Sequence, residues 1–384
     1  MQGSEQPDRT TIAADASVYY VALSMIPLIG SVTARQLINY CGSAEAVFSI
    51  PLHRLTTISG IGPKIRHQLS DRRRWLTLAE QEIEQCAHRG IEILTPVLPQ
   101  YPERLQHIYD APVALFYQGT VPLDSRKVIS VVGTRQATAY GRRVTEELIA
   151  SLAHYDDLLI VSGLAYGIDI TAHRAALSAG VPTVGVMASG LDIIYPAVHR
   201  SDAFEIVQQG GLLTESSLGT KPDGPRFPAR NRIIAGLSDA VVVVEAAEKG
   251  GALITANLAN DYDREVFAAP GNLYQKYARG CHRLIKEHKA RLITEGQDIV
   301  DILNWDLPRA KTTKPARIDS ETIATLNGEE AAVAELLEQQ RAGMLIDDIS
   351  WQSQIPVNRL AGVLLNLEFK QVVKALPGRK FQLK

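Results

Sequence analysis

Apolar residues between Val18 and Arg89 recur at intervals of three and four, as at Leu23 and Ile26, Leu37 and Ile38, Val47 and Phe48, then Leu69, Leu76 and Ile83. That spacing lays them along one stripe of a helix, so a small helical domain is expected over 11–90, behind a polar leader at 1–10. Residues 91–120 hold Pro96, Pro99, Pro102 and Pro112 and read as a short mixed connection. From Lys127 the period changes. VISVV (128–132), LLIV (158–161), TVGVM (183–187), GLLTE (211–215), AVVVVE (240–245), EVFAAPG (265–271) and ARLIT (290–294) are short runs rich in β-branched residues, with amphipathic helices between them. Unbroken apolar runs suit strands buried on both faces, and strand–helix alternation suits right-handed crossovers. An α/β fold is therefore expected over 91–305: a doubly wound, mostly parallel sheet.

DLPRAKTTKPARIDS (306–320) is polar and carries two prolines, so 306–324 reads as a linker. Helix signals then run over 329–339, 347–352 and from Pro356 to Glu368. Two short strands follow, one on each side of Pro377-Gly378. Three helices and a hairpin make a winged helix over 325–384.

Composition narrows the function. Lysine and arginine number 40 against 42 aspartates and glutamates, a formal net charge of −2. A uniformly basic nucleic-acid coat is excluded, and any such site must be a local patch. Cys41, Cys86 and Cys281 are far apart, which excludes a disulfide scaffold or a cysteine zinc site and fits a reducing cytoplasm. The N-terminus lacks the apolar core of a signal peptide, and no run of 18 apolar residues occurs. A cytoplasmic protein with no membrane partner is expected.

The candidate chemistry lies in loops that follow the expected strands. Gly133, Thr134 and Arg135 sit just past the first one, at the edge where open α/β sheets bind ligands. Neither G-x-G-x-x-G nor a P-loop is present, so no nucleotide cofactor is expected. Arg135 suits phosphate oxygens, its alternative being a buried ion pair. Ser162 and Gly163 end the second strand. Asp169 and His173 follow at i,i+4 on one helix face, where the carboxylate would cap the helix and orient the imidazole rather than form an acid–base pair. In GPRFPARNRIIAGL (224–237), Arg226, Arg230 and Arg232 flank Phe227 and Asn231. Guanidinium groups clamp phosphates, and a ring can stack on an unpaired base. The other reading is a helix start held by pairs to Glu215 or Glu245. Gly250 and Gly251 open a further helix, whose N-terminal N–H groups suit an anion. In the helical domain, Gly60 and Gly62 have the texture of a helix-hairpin-helix, either for duplex binding or as a tight turn. Arg72-Arg73-Arg74 reads as a solvated helix face. The basic tail from Lys370 reads as a phosphate-binding wing or a solubilising end.

These segments also resemble a known family. YPERLQHIYDAPVALFYQG (101–119), VVGTRQATAYG, VSGLAYGIDITAH, ASGLDIIYP (188–196), FPARNRIIAGLSDAVVVVEA, GALITANLA and APGN occur in the order seen in the DprA/Smf family of DNA-processing proteins. The similar stretch spans about 101–300. The resemblance implies an extended Rossmann-like sheet that forms homodimers. It also implies an N-terminal helical domain, SAM- or helix-hairpin-helix-like, and a terminal winged helix. No cofactor and no established catalytic reaction are implied. Such proteins bind single-stranded DNA taken up in natural transformation, shield it from nucleases and load RecA onto it. They displace or cooperate with single-strand-binding protein. The family's pocket maps onto Arg135, Ser162, Gly163, Phe227, Arg230, Asn231 and Arg232. Where some members carry a lysine before the phenylalanine, this chain has Gly224, with Lys221 and Arg226 nearby. Gly250-Gly251-Ala252 stands for the usual Ser-Gly-Ser/Thr, and Gly280-Cys281-His282 for Gly-Cys-Asn.

The expected interface is therefore Gly133, Thr134, Arg135, Ser162, Gly163, Arg226, Phe227, Arg230, Asn231, Arg232, Gly250 and Gly251, with no catalytic or metal-binding residue. The expected function is single-stranded-DNA binding and RecA loading. Two rivals remain: a Rossmann-like nucleotide phosphoribohydrolase, whose layout Glu245 and Gly250-Gly251 faintly resemble although no acid follows that loop before Asp261, and a duplex-DNA regulator acting through the winged helix.

Overall fold

The structure, a computed structural model, describes residues 9–305 and 326–383 apart from 59, 341–342, 371 and 377. The expected linker lies outside the described residues, as does the leader up to residue 8. Arg9 and Thr10, read as leader, are already helical.

The chain opens with α1 (Arg9–Met25), α2 (Ser31–Cys41), α3 (Ala44–Ser49), a 3-10 turn (Leu52–Thr57), α4 (Pro63–Ser70) and α5 (Arg72–His88). Local chemistry fixes the ends. Gly42 stops α2 at φ 97°, where only glycine sits without strain, and Ser43 caps α3 by accepting from Ala46 N. The reading of Arg72 as solvated is corrected. Its guanidinium donates to the Phe48 carbonyl at 2.7 Å and to that of Ile50, clasping the end of α3. The Gly60–Gly62 turn uses its own N–H groups, Ile61 N to Ile58 O at 3.2 Å and Gly62 N to Gly60 O at 3.1 Å. This favours the tight-turn reading.

Next come β1 (Glu92–Leu94), α6 (Glu103–Gln106), β2 (Leu115–Gly119), β3 (Lys127–Val132), α7 (Ala139–Leu152), β4 (Leu158–Ser162), α8 (Ile168–Ser178) and β5 (Thr183–Val186). They continue into α9 (Arg200–Gln209), β6 (Gly211–Thr214), α10 (Arg226–Leu237), β7 (Ala240–Val243), α11 (Gly251–Asp261), β8 (Glu265–Ala268), α12 (Arg279–Lys286), β9 (Arg291–Leu292) and α13 (Gly296–Leu303). The nine-stranded sheet runs β1-β2-β6-β5-β4-β3-β7-β8-β9. Strands β3 to β9 are parallel, as expected. The stretch 91–120 is not merely a connection, because β2 extends the sheet antiparallel to β6 and β1 adds a further strand antiparallel to β2.

Successive residues of a strand face opposite sides, so each strand feeds two cores. Val128 and Val132 pack with Ile233 and Ile234 of α10 and Ala256 of α11. Ile129 and Val131 pack with Ile149 of α7 and Ala172 of α8. The chain winds from β3 out to β6, then returns to lay β7 against the other side of β3. The reversal opens a crevice at the carboxyl ends of β3 and β7.

The described chain ends with α14 (Gly328–Gln339), β10 (Met344–Leu345), α15 (Ile346–Ser353), α16 (Val357–Phe369), β11 (Val373–Leu376) and β12 (Lys380–Leu383). This is the expected winged helix, with its strands ordered β10-β12-β11. Asn327 and Glu330 form a capping box at α14, and Lys370 reaches Glu330 at 2.6 Å. Contacts divide the chain into two compact units, 1–81 with 308–384, and 82–307. Within the first unit, Tyr20 meets the Trp351 ring edge-on at 6.2 Å and accepts from Gln354 Nε2 at 2.9 Å. Arg35 lies 5.3 Å over the same indole and pairs with Asp348. Among the described residues, no helix is long and apolar enough to cross a membrane.

The β2–β6 seam depends on absent side chains. A Cβ on Gly119 would lie 2.5 Å from Gly211 Cα. Gly119→Ala is expected to cost about 1–3 kcal/mol through forced separation of the strands, read as a lower urea midpoint. An unchanged midpoint would contradict this packing.

Candidate nucleic-acid interface

A cavity of about 640 Å³ opens in the crevice between β3 and β7. Of the expected residues, Gly133, Thr134, Arg135, Phe227, Arg230, Asn231, Gly250 and Gly251 line it. Ser162, Gly163, Arg226 and Arg232 do not.

The floor is a set of interlocked loops. Thr134 N donates to Glu245 O at 2.7 Å, and Ile168 N donates to Thr134 O at 3.2 Å. Gly167, at φ 78°, is where the β4–α8 loop passes under the Arg135 carbonyl, which a Cβ would strike. Glu245 is 4% exposed and fully committed. Its oxygens accept from Thr138 N at 3.0 Å and Thr138 Oγ1 at 2.6 Å, so the carboxylate sits at the positive end of α7. Gly141 leaves the space for it.

Arg230 is only 5% exposed. Its guanidinium donates to the Gly163 carbonyl at 2.7 Å, to the Val186 carbonyl, and through Nε to Asn231 Oδ1 at 3.2 Å. Arg230 and Asp169 approach the same face of Gly163, where a Cβ would come within 2.6 Å of both. Burial pushes the Arg230 guanidinium down to about 10 and raises the Asp169 carboxyl; each opposes the other's shift. Gly163 therefore makes room for this pair, and Ser162 Oγ is spent on Val131 O at 2.6 Å.

Asp169 and His173 share a helix face, but the imidazole turns to β5. Its Nδ1 is 2.7 Å from Thr183 Oγ1, which itself donates to Ile160 O at 2.9 Å. The hydroxyl has one proton, so Nδ1 carries the ring's N–H and Nε2 is a buried acceptor without a partner. Burial, then Arg230, lowers this imidazole to about 3. The expected pairing of Asp169 with His173 is corrected accordingly.

The other arginines of α10 point elsewhere. Arg232 pairs with Glu215, one of the two carboxylates expected, and donates to the Asp110 carbonyl. Arg226 is held at 3.1 Å by Asp223 on the exposed side. A helix turns about 100° per residue, so residues 230 and 232 face nearly opposite ways. What stays available to a ligand is Arg135, exposed, with Cζ 5.0 Å from the Phe227 ring centroid. Among the described residues it has no carboxylate within ion-pair distance.

Sequence reasoning missed two cations. Lys249 and Lys276 are exposed and line the cavity, with Tyr277 beside them. Tyr277 donates to Gln136 Oε1, and Lys276 Nζ lies 5.2 Å from its ring centroid. Both lysines follow strand ends, β7 and β8, and the rule that found Arg135 after β3 would have found them. Gly224 lines the same cavity, so its side there has no lysine before Phe227. Past the rim, Gly250 and Gly251 open α11 with no atom closer than 4.0 Å to an added Cβ, and Asn231 Nδ2 donates to Gly251 O at 3.3 Å. Among the described residues, no three His, Cys, Asp or Glu side chains gather as a metal site requires.

Fold and site together define a Rossmann-like protein with a basic, ring-lined cleft at its switch point and a separate winged helix. The chain belongs to the DNA recombination-mediator protein A family, whose model matches residues 92–304, while the DprA winged helix domain matches 318–379. It is 36% identical over 292 residues to Protein Smf of Synechocystis sp., covering 74% of this chain and 72% of that one. The X-ray structure of DNA processing protein A from Streptococcus pneumoniae superposes with a TM-score of 0.62 at 34% identity, covering 74% of this chain and 96% of that one. A structure of DNA processing protein A from Helicobacter pylori, described for its unique single-stranded DNA binding mode, superposes with a TM-score of 0.51 at 31% identity, covering 56% and 98%.

Two outcomes follow. Arg230→Ala is expected to destabilise the fold by about 3–5 kcal/mol, because it strips two carbonyls and leaves the buried Asp169 without its countercharge. A urea midpoint equal to wild type would refute that. For His173, the folded value of about 3 lies below the ordinary 6.5. Between those values only the unfolded chain takes up the proton, so stability is complete above pH 6.5 and falls as pH drops. The slope from this group is about 1.4 kcal/mol per pH unit. His173→Gln should flatten the dependence measured by urea titration at pH 7.5, 6.5 and 5.5, and parallel curves would exclude this role.

Proposed function

We propose that this protein is a single-stranded-DNA-binding recombination mediator that shields incoming DNA and loads RecA onto it in natural transformation. It works in the cytoplasm as a homodimer and catalyses no reaction of its own. The observation that carries the DNA reading is the set of exposed cations Arg135, Lys249 and Lys276 around one open cleft with the Phe227 and Tyr277 rings. Phosphates suit the cations, and bases suit the rings. Membership of a recombination-mediator family and the DNA-binding mode named for the Helicobacter pylori relative support the same reading. RecA loading and cooperation with single-strand-binding protein rest on the family resemblance.

The rivals fit less well. A phosphoribohydrolase needs a carboxylate that reaches the ligand, and Glu245 spends both oxygens on Thr138. A duplex reader needs cations on its recognition helix. In α16 the one cation among 13 residues is Arg359, and it pairs with Glu329 at 3.0 Å. The N-terminal end of α16 is also covered, since a Cβ on Gly42 would meet the Pro356 ring at 2.6 Å.

Arg135→Ala should weaken single-stranded oligonucleotide binding about tenfold or more in a filter assay, without changing the thermal midpoint. Phe227→Ala should weaken it too. Lys249→Ala and Lys276→Ala should each reduce the slope of log K against log salt by about 0.7. Unchanged retention by all four variants would reject the assignment. The RecA step is tested by timing filament assembly on oligonucleotides precoated with single-strand-binding protein, which the protein should accelerate.

A further inference from the structure

A third ring lies against Phe227, just outside the cavity lining. Tyr195 lies in the loop after β5, its ring centroid 5.6 Å from that of Phe227 at an interplanar angle of 54°. Phe227 is half-buried, with the Arg135 guanidinium over its ring. Tyr195 is 44% exposed, and its hydroxyl has no hydrogen-bond partner among the described residues. Buried tyrosines usually place that hydroxyl on an acceptor. This one leaves nearly half of its side chain open to solvent, against the ring over which the Arg135 guanidinium lies.

A base that stacked directly on Phe227 would have to displace a cation already resting there. Over the Tyr195 ring no cation lies, among the described residues. We propose that Tyr195 is the stacking platform for the base whose phosphate is held at Arg135, with Phe227 backing the tyrosine and aligning the guanidinium. The inference rests on the single-stranded-DNA reading above. The platform accepts any base, because every base offers a π-face and no hydrogen-bonding edge is read. It also selects unpaired DNA, since a base stacked inside a duplex cannot turn onto the ring.

The test compares two probes by fluorescence anisotropy: a labelled oligothymidine and an abasic deoxyribose-phosphate oligomer of equal length. Tyr195→Ala should weaken oligothymidine binding at least about fivefold and leave abasic binding unchanged. Tyr195→Phe, which keeps the ring, should restore wild-type affinity. Ultraviolet cross-linking of wild-type protein to a 5-iodouracil oligonucleotide should give an adduct on Tyr195 by mass spectrometry, a readout that needs no variant to fold. The proposal is overturned if Tyr195→Ala binds oligothymidine like wild type, or loses affinity equally for both probes, or if the adduct maps elsewhere. Wild-type protein that bound neither probe would instead overturn the single-stranded-DNA reading itself.

Discussion

The cleft is organised around a buried guanidinium. Arg230 is removed from water, and an unpaired charge there would cost several kcal/mol, so its surroundings are built to receive it. Gly163 lacks a Cβ where the guanidinium passes, and the carbonyls of Gly163 and Val186 accept from it. Asp169 supplies the opposite charge. Those groups come from the ends of β4 and β5 and the start of α8. One side chain on α10 thereby fixes three loops at the carboxyl rim. The cost of burying it is offset by positional precision in the cleft wall, where Asn231 and Phe227 are its neighbours on the same helix.

The parallel strands were legible because burial on both faces leaves unbroken apolar runs, as in VISVV and AVVVV. The antiparallel β1 and β2 were not. Runs of three and five residues with four prolines between them carry no readable period, and their partners are distant, with Glu92 opposite Tyr117 and Phe116 opposite Thr214. The loop position of Arg135 could be placed from a strand end alone, whereas Phe227 lies in the first turn of α10. The fates of Arg230 and Arg232 could not, because a linear R-N-R hides a rotation that sends one guanidinium inward and the other to Glu215. Lys249 and Lys276 are brought together by the order β3-β7-β8, a fact of topology rather than of neighbouring sequence.

Charge balance sharpens the functional argument. A chain with net charge −2 cannot hold a polyanion by its overall field. It must leave a few cations unpaired in one place. Some of its arginines are taken up by carboxylates: Arg104 by Asp239, Arg174 by Asp202, Arg232 by Glu215 and Arg359 by Glu329. Around the cleft, Arg135, Lys249 and Lys276 have no carboxylate within ion-pair distance among the described residues. Three unpaired cations gathered around one cleft are what a local phosphate-binding patch requires.

The acids nearest the cleft are committed to holding its walls. General acid–base work needs a group that can reach the ligand and exchange a proton near neutral pH. Glu245 holds the start of α7, Asp169 answers Arg230, and the His173 imidazole is buried and far too weak a base. Each of these three groups is occupied within the fold. A site that spends its acids on architecture and keeps exposed cations and rings at one cleft suits the proposed grip on a polymer.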